Sequence, residues 1–242
     1  MQFQRRLSHG LQALVNYTWG HAIDEVSNEG QGGVLERGNA SVDIRHNFST
    51  AFTYELRTKH FGPILKPIIN GWSINALILA QTGLPLDLRS GFSNQILPDG
   101  SLYFTRPDVV PGQPFWVHDP DAPAGVHLNP AAFNLVPTPI TREGTLGRNA
   151  VHAPGIRQVN MAIGRKFRLT EKLNLQLTAE AFNVFNTPLF WGWGTTITAD
   201  RFTNKNFGRP QFMFNRGIAN DLTRQYEIGG HRSMQFAARL SF

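Results

Sequence analysis

Cysteine is absent from the 242 residues, so neither a disulfide nor a cysteine-based metal site can form. Long apolar runs are missing as well. A membrane-crossing helix needs roughly 18 such residues in a row, and the richest stretch, INALILA at 74–80, is interrupted by Asn75. The first residues, MQFQRRLSHG, lack the apolar segment of a secretory signal, so an export signal is expected on sequence outside this chain. Runs of like charge do not occur either. The formal net charge is +6 and the isoelectric point about 10.1, yet the densest basic groups are Arg5 with Arg6 and Arg165 with Lys166. Neither is a run of the kind that tracks a phosphate backbone, and nucleic acid is not expected as a partner.

Signatures of catalysis and metal binding are equally scarce. His9, His21, His46, His60, His118, His127, His152 and His231 are scattered, and none stands four residues from another as in H-E-x-x-H. Asp119 and Asp121 in HDPDAP are two apart, as shared carboxylates around calcium would be, but no glycine or distal glutamate completes an EF-hand. Pro120 and Pro123 favour a plain turn there. There is no G-x-S-x-G, and GQGG at 30–33 lacks the lysine and following helix of a phosphate loop. The expectation is a protein that is not an enzyme, with no catalytic residue, no metal and no cofactor.

What the chain does have is alternation. In LQALVNYTW at 11–19, Leu11, Ala13, Val15, Tyr17 and Trp19 share one face of a strand, with Gln12, Leu14, Asn16 and Thr18 on the other. NFSTAFTYEL at 47–56 repeats the pattern, and GWSINALILAQT at 71–82 follows it, with Leu77 and Leu79 intruding on the polar side. VNMAIGRKF at 159–167, LNLQLTAEAF at 173–182 and the terminal segment ending in Phe242 do the same, and MQFQRRL enters as a further strand. Seven strands are expected, most about 9 to 11 residues long, the length a tilted strand needs to cross a bilayer.

The connections alternate too. Only Ser8-His9-Gly10 separates the first two strands, a turn around Thr170-Glu171-Lys172 joins the fifth and sixth, and FGPILKP at 61–67 lies between the third and fourth. The other three connections, about 21–44, 83–155 and 187–231, are far longer than structureless loops usually run. Short and long connections thus fall at opposite ends of the sheet, as in a bacterial outer-membrane barrel with short periplasmic turns and long external loops. A strand facing lipid must be apolar on that face, and its backbone groups must all find a neighbouring strand, because the bilayer core offers no water. The fold class expected is all-β, an antiparallel transmembrane barrel portion.

Aromatic placement fits that topology. With short turns periplasmic, Tyr17 and Trp19 lie near the outer interface, whereas Tyr54, Trp72, Phe167 and Phe242 lie near the inner one, forming two girdles. Arg165 falls on the lipid-facing register, where an arginine close to an interface costs only about 0 to 1 kcal/mol because it can snorkel.

These residues resemble a known family. The last strand, with Phe236, Leu240 and the terminal Phe242, resembles the C-terminal signal of outer-membrane barrels. AEAFNVFN, with Asn183, Phe185 and Asn186, resembles the penultimate-strand motif of TonB-dependent receptors. LQALVNYTWGHAID, DIRHNFSTAFTYEL, GWSINALILAQTGLPL, NPAAFN and TLGRNAVHAPG resemble the C-terminal barrel region of the large receptors that carry an N-terminal carboxypeptidase-regulatory-like domain. The resemblance implies a barrel of about 22 strands closed by a plug, in the cell outer membrane of the Gram-negative type, taking up a scarce ligand such as a metal chelate or glycan. It implies as partners outer-membrane lipid, the barrel-assembly machinery that reads the terminal aromatic, and the rest of the receptor. TonB would be reached only through an N-terminal region not contained here. Residues 1–242 are accordingly expected to be the C-terminal part of one such barrel domain, with plug and N-terminal strands outside the chain.

Ligand contact is expected in the external loops, which vary freely on a rigid barrel. Trp116, Trp191 and Trp193 are the candidates, WGWG at 191–194 being suited either to stacking on a ring or to packing inside a folded loop. Two other readings compete: a soluble β-rich carbohydrate-binding module, and a small outer-membrane barrel enzyme.

Overall fold

All seven alternating segments pair into one antiparallel sheet in the computed structural model, which describes residues 1–8, 10–27, 36–56, 69–90, 95–96, 102–103, 105–137, 142–213 and 231–242. The strands are β1 (Gln2–Ser8), β2 (Leu11–Trp19), β3 (His46–Glu55), β4 (Trp72–Gln81), β5 (Ile156–Arg168), β6 (Asn174–Phe182) and β7 (Ser233–Ser241). Their order across the sheet is their order in the chain, a plain meander with β1 and β7 at its two edges. The expected ends agree to within a residue or two, except that β5 begins at Ile156 and not at Val159. That extra turn of pairing, Ile156 to Gln158 against Gln81 to Leu79, was hidden because Arg157 interrupts the apolar alternation.

Register carries each face across the whole sheet. Leu11, Tyr54, Ile74, Ile163, Ala179 and Phe236 stand side by side on successive strands, and the next row is Ala13, Phe52, Ala76, Met161, Ala181 and Met234. A third row, Val15, Thr50, Ile78 and Val159, contains one polar residue, whose hydroxyl donates to the Leu14 carbonyl at 3.0 Å. Between these rows, pointing the other way, runs Gln12, Thr53, Asn75, Ala162, Glu180 and Gln235. Polar groups on that face bond to one another: Thr53 to Asn75 at 2.8 Å, Gln158 to Asn160 at 2.9 Å, and Gln235 to Glu180. A slip of one residue in any strand would reverse its faces, so the pattern itself fixes the register.

The hairpin end is tightly built. Gly10 has φ +86°, and a Cβ there would lie 2.3 Å from the Glu55 carbonyl oxygen, so only glycine lets the β1–β2 turn lie against β3. Between β5 and β6, Leu169 and Thr170 donate their amides to the Leu173 carbonyl at 2.9 and 3.1 Å. FGPILKP at 61–67 lies outside the described residues.

At the opposite end sit the three long connections, which fold into short ladders and a 3-10 turn at Pro130–Ala132. There, and not between sheet layers, lies the cluster of buried apolar side chains: Leu88, Leu128, Ala132, Phe133, Leu146, Val151, Ile197 and Phe207. Among the described residues the seven strands pack substantially only on their sheet neighbours. Among the described residues nothing forms a second layer on their apolar face: Val15, Ile78 and Leu175 are half-buried, and Phe236 is 81 % exposed.

Candidate ligand-facing lobe and aromatic girdles

Two bands of rings bracket the apolar face. At the lobe end, Tyr17 and His46 stack with centroids 6.1 Å apart, and the Tyr17 hydroxyl is hydrogen-bonded to His46 Nδ1 at 2.8 Å. Trp19 stands opposite His46 in register and is exposed. At the hairpin end are Tyr54, Trp72 and Phe167, with Phe242 just past β7. The guanidinium carbon of Arg165 lies 5.1 Å from the Trp72 ring centre and 4.5 Å from that of Phe167. Arg165, a cation on the lipid-facing register, is therefore held against two ring faces of the girdle itself, a cation–π arrangement. Phe236 pairs with Ala179 and Leu240 with Leu175, so the terminal apolar residues continue the same face.

The lobe is stapled together by residues from all three connections. Arg148, fully buried, reaches from the second long connection into the first, donating to Asp24 Oδ1 at 2.7 Å and to the Ser27 carbonyl at 2.6 Å. Asn149 and Asn39 exchange side-chain-to-carbonyl hydrogen bonds at 2.7 and 3.0 Å across the same seam, and Arg106 pairs with Glu36. Asp43, completely buried, accepts from the Ala22 amide at 2.8 Å and Arg45 Nε at 2.6 Å, and lies 3.5 Å from His152 Nε2. The third long connection joins through Leu128, whose amide donates to the Gly208 carbonyl at 3.0 Å, and through Arg209, 2.5 Å from Asp119. Residues 89–90 also pair in parallel with 196–197.

These contacts shift the lobe's carboxylates. Burial raises Asp24, but hydrogen bonds from Arg148 and Ser27 outweigh it and hold the carboxyl down at about 2. Burial likewise pushes Asp43 up, and the Arg45 guanidinium with the Ala22 amide overcomes this and keeps it below the usual carboxylate value. Asp108 is lowered mainly by its two-pronged bond with Arg142, at 2.8 and 2.6 Å, and Arg142 is raised in return.

The three loop tryptophans have different places. Trp116 and Trp193 meet edge to face with centroids 4.9 Å apart, Trp193 is buried, and the Trp116 indole N–H donates to the His152 carbonyl at 3.1 Å. Trp191 is 52 % exposed and stands in register with Phe212, 55 % exposed, on the 190–193 and 210–213 ladder. Gly192 between them has φ +66°, and a Cβ there would come 2.6 Å from Phe212 Cδ2. The lobe thus presents two exposed aromatic residues opposite each other in register on its surface, chemically suited to stacking on a ring-shaped ligand. Phe212 carried no signal in the sequence, because its partnership with Trp191 spans twenty residues of irregular chain. Asp119 is engaged by Arg209 and by the Asp121 amide at 2.9 Å, inside the turn expected around the prolines. Among the described residues no three histidine or acidic side chains converge as metal ligands would.

Comparison with protein families gives a match over residues 1–227 to the model described as "Outer membrane beta barrel domain". No curated protein and no solved structure matches the chain.

Proposed function

Because this chain belongs to the outer membrane beta barrel family, which points to the outer membrane, we propose that it is the C-terminal part of a TonB-dependent receptor, serving energised uptake of a scarce ligand such as a metal chelate or a glycan. The observation that carries the reading is the division of the molecule. An open seven-stranded sheet bears an apolar face on which no described residue forms a second protein layer, and a hydrogen-bonded polar face, and it ends in a lobe of interlocked long connections. A soluble module would bury its apolar strand face, so this division disfavours the carbohydrate-module alternative. The lobe, with Trp191 and Phe212, is the ligand-facing side; Asn, Thr, Gln and Glu on the polar face line a wet or plug-filled lumen. In this reading the protein performs no chemistry of its own. The lipid of the cell outer membrane, the barrel-assembly machinery acting on Phe242, and the plug and remaining strands are its partners, with TonB reached through the plug-bearing region.

The test is detection of the protein in outer-membrane fractions with an antibody against residues 142–213. The receptor reading expects a heat-modifiable species far larger than the 27.1 kDa of this chain, whose reading frame encodes a plug upstream. A heat-modifiable barrel of 27.1 kDa would exclude it.

A further inference from the structure

Where the sheet meets the lobe, the apolar face opens into a cavity of about 670 Å³. Its floor is Phe48 and Ala80, which face each other in register, and Arg157 is the next residue in that row. His46, Phe48, Ala80 and Arg157 all belong to the register of the apolar face, while Arg45 and His152 close the cavity from the lobe. Asp43 is already shared between Arg45, at 2.6 Å, and His152, at 3.5 Å. Arg157 is exposed, and among the described residues its side chain has no hydrogen bond or ion pair, so the cavity keeps a net positive rim over an apolar floor.

We propose that this cavity seats the phosphorylated headgroup of an acyl glycolipid of the outer leaflet, its phosphate on Arg157 between His46 and Arg45, with an acyl chain lying over Phe48 and Ala80. The proposal rests on the outer-membrane reading, which sets the lobe end outward. Its level fits: the row contains Tyr17, which pairs with Phe48, and lies one row inside that of Trp19 and His46, so it is at the level of the girdle, where headgroups lie. Its charge fits as well, since a guanidinium binds phosphate with two parallel hydrogen bonds and a basic pocket at a membrane surface selects anionic headgroups.

The test uses the protein purified from outer membranes in a non-ionic detergent, titrated with bis-phosphorylated lipid A, with the same lipid after phosphatase treatment, and with inorganic phosphate. The phosphorylated lipid is expected to bind about tenfold more tightly than the dephosphorylated one, and inorganic phosphate is expected not to displace it. Arg157→Gln should abolish the preference between the two lipids, and Arg157→Glu provides the same readout should the first variant not accumulate as a heat-modifiable species. Ala80→Trp, which fills the floor, should weaken both lipids. Equal binding of the two lipids by the wild-type protein overturns the proposal, as does a full preference retained in both Arg157 variants, or displacement by inorganic phosphate alone. Failure of the outer-membrane reading would show separately, as absence of the protein from the outer-membrane fraction.

Discussion

Exchanging Met161 for arginine, beside the same exchange at Ala162, sets hydrocarbon against protein as the cover of the apolar face. Arg157 and Arg165 occupy the same face of β5 eight positions apart, with Met161 midway. At about 3.4 Å per residue the two arginines are separated by about 27 Å along the strand, and a tilt of about 40° projects this to about 21 Å. That is close to the roughly 25 Å apolar band of outer-membrane barrels, so both native arginines sit at its edges, where the penalty is about 0 to 1 kcal/mol, and Met161 sits near the midplane, where it is about 2 to 4 kcal/mol. Ala162 points to the polar face in the row of Asn75 and Glu180.

The assay is urea-dependent folding of the protein into phospholipid vesicles, followed by heat-modifiable migration. Met161→Ala serves as the reference, so that the loss of methionine packing is not counted against the charge. Met161→Arg should fall below that reference by about 2 to 4 kcal/mol, roughly 30- to 700-fold in the folding equilibrium, and Ala162→Arg should stay within about 1 kcal/mol of wild type, as for lumen positions. Equal penalties at 161 and 162, or a smaller one at 161, would refute the assignment of faces.

Three further outcomes follow from the lobe. Arg148→Ala leaves Asp24 and the Ser27 carbonyl without their buried donor and should loosen the docking of the first long connection on the second, read as faster protease nicking within residues 21–44 while the heat-modifiable sheet is unchanged. Acidification should act through Asp24, whose folded value of about 2 lies below its ordinary 3.8. A depressed carboxyl stabilises fully above its unfolded value and loses that stabilisation as pH falls through its folded one, so amide protection in the lobe should hold down to the region of 3.8 and then decline toward 2. Asp24→Asn should begin from lower protection at neutral pH and show a flatter acid profile. Gly192→Ala places a side chain at positive φ and against Phe212; it should cost about 1–2 kcal/mol locally, visible as faster hydrogen exchange in residues 190–193 and 210–213.

Strand by strand, the sheet could be read from period two alone, because one solvent on each side makes every residue report its face. Two places break the period: the start of β5, where Arg157 occupies an apolar position at the edge of the face, and Leu77 and Leu79, which lie on the polar face opposite Ala51 and Ser49. The lobe was legible only as length. Its ladders are two to four residues long, too short to show a period, and they pair segments far apart, such as 85–86 with 151–152 and 89–90 with 196–197. Arg148 gave no sign of its role, since its partners Asp24 and Ser27 lie more than a hundred residues away. The tryptophans divided by context: the same WGWG places Trp193 in the packed interior and Trp191 on the surface.

The placement of the buried apolar cluster follows from the same physics as the bare sheet face. Strands that meet lipid need no protein core, since hydrocarbon is as apolar as leucine and the backbone is satisfied by neighbouring strands. The lobe meets water, so its long chain segments must bury Leu128, Phe133, Ile197 and Phe207 among themselves and staple the polar seams with Arg148, Asp43 and Asn149. One chain thereby obeys opposite rules at its two ends, and on β4 and β5 the change occurs within a residue or two: Ala80 and Arg157 are their last lipid-facing pair, and Gln81 and Ile156, next in register, are the last pair of the two strands before the chain passes into the lobe.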